Sequence, residues 1–205
     1  MDARSHGAAM KERWFADDRD LVKWSALLHF ARRHKLARIL QVAYLRDDER
    51  PRVTIGDEDV AVDNAVWSFF RDVHRVHELG VATGIRIDVI ADRFEPTQRG
   101  PYVDSVVATI RAAAADSMLL FLDPDTGLEP GRLGTVHVAR DEVRRYWAVL
   151  RSGDWLSIYQ HARHDTTWHA DVPRELSALC GDATTKVARS ADIGKDVMLL
   201  FVEKP

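Results

Sequence analysis

A chain of 205 residues with 46% hydrophobic content is long enough to bury one core of ordinary size. Its net charge of −3 gives no bulk basic signature for nucleic acid, and a single cysteine, Cys180, excludes an internal disulfide framework and fits a reducing cytoplasm. No run approaches the ~18 apolar residues of a membrane span, and the N-terminus lacks the apolar core of a secretory signal, so a cytoplasmic chain with no membrane partner is expected.

Residues 1–13 are polar and read as a flexible start to a single α/β domain spanning 1–205. Trp14-Phe15-Ala16-Asp17-Asp18-Arg19-Asp20 sets aromatics beside acids in a short loop. Asp18 or Asp20 is the expected cap of a helix over 20–35, with Leu21, Trp24, Leu28 and Ala31 on its buried face and basic residues in its last turn. Asp20 and Lys23, three apart, meet on one side of it. Residues 37–45 read as a strand, and 46–62 stay ambiguous between a short strand and an irregular insert. A helix over 63–79 is expected to stop at Gly80. A strand over 84–90 follows, then a helix opened by Pro101 that buries Val103, Val106, Ile110 and Ala113.

The apolar run Met118 to Leu122 ends abruptly in Asp123-Pro124-Asp125-Thr126-Gly127, the pattern of a buried strand and its turn. Ligands of open α/β sheets bind beyond the carboxyl ends of their strands, so Asp123 and Asp125 are candidate site residues. A Gly- and Pro-rich loop over 123–139 leads to a helix over 140–151. The strand Trp155 to His161 also ends in polar side chains. Tyr159 and His161 share one of its faces, Gln160 points the other way, and Arg163 lies in the loop beyond. A helix near 173–180 starting at Pro173 and an antiparallel hairpin, Thr184 to Ser190 with Asp196 to Val202, close the chain. Strands alternating with helices predict a Rossmann-like, mostly parallel sheet covered on both faces, with one antiparallel end.

That order and its antiparallel end resemble the class I methyltransferase fold, with one strand-helix unit missing or hidden in 46–62. Asp17-Asp18-Arg19-Asp20-Leu21-Val22-Lys23 has the spacing of the Asn-x-x-Asp-x-x-Lys pattern in large-ribosomal-RNA adenine-N6 methyltransferases of the RlmJ type. Leu122-Asp123-Pro124-Asp125-Thr126 stands where those enzymes carry Asp-Pro-Pro-Tyr. The set also resembles an uncharacterised bacterial family. The resemblance implies S-adenosylmethionine (SAM) as cofactor, near Asp17, Asp20 and Lys23, and a nucleic acid or nucleotide as substrate. It implies that Asp123 accepts from the substrate amino group and that His161, with Tyr159 and Arg163, contacts the substrate. The chain departs from the pattern in having no Gly in Val42-Ala43-Tyr44-Leu45, no aromatic at Thr126, and Asp125 in place of the second Pro.

Two rival classes remain. Asp123 and Asp125, spaced Asp-x-Asp, suit Mg²⁺ and a phosphoesterase or nuclease with His161 or His164 as acid or base. The missing glycines suit a non-catalytic binding or defence module. His161, His164, His169 and the distant Cys180 do not match the spacing of a structural zinc site. His74 and His77, three apart, lack a third ligand.

Overall fold

The computed structural model describes residues 17–46, 52–55, 57–63, 72–113 and 115–205. The expectations for 1–13, for Trp14 to Ala16 and for most of the first half of the helix over 63–79 lie outside them. The described elements are α1 (Asp18–Arg33), β1 (Arg38–Val42), β2 (Arg52–Ile55), β3 (Glu58–Ala61), α2 (Val76–Thr83), β4 (Arg86–Ile90), α3 (Arg99–Ala112), β5 (Met118–Leu122), β6 (Gly127–Leu128), β7 (His137–Val138), α4 (Arg140–Val149), β8 (Trp155–His161), α5 (Trp168–Leu179), β9 (Thr185–Ala188) and β10 (Val197–Glu203).

Six strands form one sheet in the order β4-β1-β5-β8-β10-β9. β4, β1, β5 and β8 are parallel, whereas β10 runs antiparallel to both β8 and β9. The α/β class, the mostly parallel sheet and the closing antiparallel hairpin are therefore as expected. Between β1 and β5 the order of connection reverses. The chain leaves β1 for β4 on one side and returns to β5 on the other. Such a reversal opens a crevice at the carboxyl ends of the two strands.

Strand periodicity sorts side chains between two cores. Leu40, Val42, Leu120, Leu122, Leu156 and Ile158 face Val103, Val106 and Ile110 of α3, Val143 and Tyr146 of α4, and Val172 and Leu176 of α5. Ile39, Leu119, Phe121, Trp155 and Tyr159 face Val22, Trp24, Leu27 and Leu28 of α1 and Val76 of α2. Central strands packed on both sides need apolar residues at every position, which is why Met118 to Leu122 is an unbroken buried run.

Several boundaries differ from expectation for identifiable reasons. Asp17, rather than Asp18 or Asp20, caps α1 by accepting from the backbone N–H of Arg19 and Asp20. Trp24, Leu28 and Ala31 are buried as expected, but Leu21 in the first turn is 58% exposed, and Val22 and Lys23 are buried there instead. α2 runs through Gly80 and ends at Gly84, which takes the left-handed φ of 70°. Gly80 is small because a Cβ there would lie 2.9 Å from the carbonyl oxygen of Ile85. α3 begins at Arg99, behind a short 3₁₀ turn over Pro96–Gln98, so Pro101 sits in its first turn. α5 begins at Trp168 and tolerates Pro173 inside it because burial of Trp168 and Val172 outweighs one forgone backbone hydrogen bond. Residues 52–61 hold a separate β2–β3 hairpin, so they do not supply a hidden strand of the main sheet.

Candidate functional site

Along β1, β5 and β8 the side chains facing α1 are apolar but for the buried Ser157 until the last positions, where they become polar. Gln41 on β1, Asp123 just beyond β5, and Tyr159 and His161 on β8 form a row across the carboxyl edge of the sheet. The first turns of α1 lay Arg19, Asp20 and Lys23 over that row.

Asp123 is the deepest member, with no exposed surface. Its Oδ2 accepts from Gln41 Nε2 at 2.7 Å and from Lys23 Nζ at 3.1 Å. Lys23 Nζ also lies 2.6 Å from Asp20 Oδ1 and 5.1 Å from the centroid of the Tyr159 ring. Burial alone would lower the Lys23 pKa, but the carboxylates of Asp123 and Asp20 outweigh it and hold the ammonium well above its ordinary value. Burial pushes the Asp123 carboxyl above the usual carboxylate range, with Lys23 opposing and Asp20 adding to the rise. Among the described residues, neither Asp123 Oδ1 nor Gln41 Oε1 has a hydrogen-bond partner, although both are shielded from solvent. Unmet buried acceptors of this kind cost about 1–3 kcal/mol each.

A second chain of contacts starts from Tyr159. Its hydroxyl lies 3.1 Å from His161 Nε2, and His161 Nδ1 faces Asp196 Oδ2 at 3.6 Å. Asp196 accepts two hydrogen bonds on Oδ2 from Arg19, at 2.7 and 3.1 Å, and Arg19 also reaches Asp17. This links the N-terminus of α1 to the residue preceding β10. Burial lowers the His161 pKa below the ordinary imidazole value, against the pull of Asp196. A neutral ring with its proton on Nδ1 toward Asp196 leaves Nε2 free to accept from the Tyr159 hydroxyl. The hydrogen bond from Arg19 lowers Asp196. Burial raises the Tyr159 hydroxyl, so it stays protonated as a donor.

Asp17, Asp20, Lys23, Asp123, Tyr159 and His161 are thus brought together. Asp125 and Arg163 are drawn into other contacts. Asp125 is paired with Arg46 from the chain after β1. Arg163 is held by Glu175 at 2.9 Å and donates to the carbonyl of Leu128 at 3.1 Å, bracing β6. Each carboxylate of the Asp-x-Asp pair therefore has its own cation. No cluster of three or more His, Cys, Asp or Glu side chains placed to hold a metal ion occurs among the described residues.

The turn after β1 forms without glycine because Tyr44 itself takes a left-handed φ of 49°. Its ring turns to the opposite face of the sheet from Gln41, against Phe94 and Tyr102, and its hydroxyl lies 3.4 Å from both Glu142 and Tyr146. A non-glycine residue held there costs about 1–3 kcal/mol, and such strain concentrates at ligand sites. Beside the turn, Tyr44, Arg46, Pro124, Asp125 and His137 line a shallow, partly open depression.

Sequence reasoning missed Gln41, Asp196, Arg19 and Arg46. Gln41 carried a signal, as a polar residue inside the apolar strand Ile39-Leu40-Gln41-Val42. Asp196 and Arg19, 177 residues apart, carried none. Compared with protein-family models, with curated proteins and with solved structures, the chain matches none.

Proposed function

We propose that the chain is a methyltransferase-like enzyme that methylates an amino group of a nucleotide or nucleic acid, with SAM as methyl donor. The observation that carries this reading is Asp123: a buried carboxylate at the switch point, one oxygen fixed by Lys23 and Gln41, the other without a donor. A supporting observation is the sheet order, in which an antiparallel last strand inserts beside β8, as in the class I methyltransferase fold less one strand-helix unit.

The residues fit SAM in charge. The cofactor is cationic, and this edge sets four carboxylates, Asp17, Asp20, Asp123 and Asp196, against two cations, Arg19 and Lys23. The strained turn at Tyr44 supplies the close backbone that glycine supplies elsewhere. The depression beside Tyr44 is closed to a ligand as it stands, so the Arg46–Asp125 pair must part to admit an adenosyl group. The turn at Tyr44 and the α1 terminus with Asp17 and Asp20 would hold the cofactor, which supplies an electrophilic methyl group on sulfonium. Asp123 accepts from the substrate amino group and orients the nitrogen lone pair. Lys23, itself held by Asp20, positions Asp123. His161, half-buried at the mouth, contacts the substrate with Tyr159 behind it.

Incubation of the purified chain with tritium-labelled SAM and RNA, DNA or nucleotides tests this. Label transfer is expected, abolished by Asp123→Ala and retained by Asp125→Asn. No transfer to any acceptor would overturn the reading. Mg²⁺-dependent phosphoester cleavage lost in Asp125→Asn would replace it with phosphoester chemistry.

A further inference from the structure

Gln41 has no role in the reading above beyond steadying Asp123. Its carboxamide is 2% exposed and lies on the strand next to β5, on the face covered by α1. The Nε2 end donates to Asp123 Oδ2 at 2.7 Å. This hydrogen bond fixes which end of the amide faces Asp123, because two oxygens would repel. Oε1 therefore points elsewhere and meets no donor, like the neighbouring Asp123 Oδ1. This hydrogen-bonded pair thus carries two unmet acceptors, against one Nε2 hydrogen left over. A ligand group that satisfies both acceptors must bring two N–H bonds. A second cation is the poorer match, because Lys23 already stands 3.1 Å from the same carboxylate. An amino group conjugated to a heteroaromatic ring has the required character, since its lone pair is delocalised and its two hydrogens diverge.

We infer that Gln41 is a second ligand-binding acceptor, and that Gln41 Oε1 and Asp123 Oδ1 together accept the two hydrogens of one neutral, ring-borne amino group. The inference rests on the reading of Asp123 as acceptor and narrows the ligand to amino-bearing heterocycles. Oxo analogues of the same shape place an acceptor against these two acceptors and bind less tightly, as in sites built to hydrogen-bond one partner.

The test is calorimetric titration of the full chain with two isosteric pairs, adenosine against inosine and cytidine against uridine. The amino member of at least one pair is expected to bind tenfold or more tightly than its oxo partner. Gln41→Met, of similar volume, is expected to cut that ratio at least threefold, leaving the part due to Asp123, while the near-ultraviolet circular dichroism stays native. Because the ratio is first measured on the unaltered chain, an unstable variant leaves the test intact. Equal affinity within both pairs, preference for the oxo members, or no binding of any nucleoside at millimolar concentration would overturn the inference. Methyl transfer with no amino-over-oxo preference would sink the role of Gln41 and keep the enzymatic reading. Amino preference without methyl transfer would do the reverse.

Discussion

Lys23 sits between two carboxylates, and its removal leaves Asp123 buried without a counter-ion. Breaking a buried pair from one side costs about 3–5 kcal/mol, so Lys23→Met is expected to lose stability on that scale in urea denaturation. A loss below about 1 kcal/mol would mean that the pair is effectively solvated. His161 gives a pH signature of defined sign. Its folded pKa lies below the ordinary value near ~6.5, so its contribution is complete above that value and is lost as pH falls through it toward the lowered folded pKa. His34 and His137 are lowered by burial and act in the same sense, so His161→Gln should reduce, not abolish, the loss of melting temperature on acidification. Asp123 acts in the opposite sense. Its raised pKa makes its contribution greatest below the usual carboxylate value, and the contribution is lost as pH rises through the raised one.

At the scale of elements, the edge depends on how α1 and the β6 turn are anchored. Asp17 caps α1 and also meets Arg19. Asp17→Ala should cost about 0.5–2 kcal/mol, typical of a lost cap, and should loosen Arg19 from its place beside Asp196. Gly127 has a φ of 111°, and a Cβ there would overlap the Gln160 carboxamide. That carboxamide accepts from the backbone N–H of Leu128 at 2.9 Å and donates to the Thr126 carbonyl at 3.0 Å. Gly127→Ala therefore forces both backbone strain, about 1–3 kcal/mol, and loss of the Gln160 bracket. A melting temperature unchanged in that variant would contradict the packing described. The strands were the most legible elements, because β5 and β8 are apolar runs with polar ends. Helix starts were less so: Asp18 and Asp20 have the same capping chemistry as Asp17, and at the exposed first turn Val22 rather than Leu21 joins Trp24, Leu28 and Ala31 in the core.

At the scale of the molecule, what positions the site is the sheet order. Lys23 and Asp123 are 100 residues apart and Gln41 and Asp123 are 82 apart. Spacing could mark Asp123 and His161 as strand-end residues but could not pair them with α1, because that follows from which strands lie side by side and which face α1 covers. The same reason explains Asp125 and Arg163. Both looked free in sequence, and both are claimed by residues brought close only by the fold, Arg46 and Glu175. The proposed cofactor site at this carboxyl edge is tested most directly by calorimetric titration of the intact chain with S-adenosylhomocysteine, which keeps the amino groups of the cofactor without its sulfonium charge. Saturable micromolar binding, weakened at least tenfold by Asp20→Ala, is the predicted result. Absence of heat up to millimolar ligand, from a chain whose near-ultraviolet circular dichroism shows it folded, would contradict it.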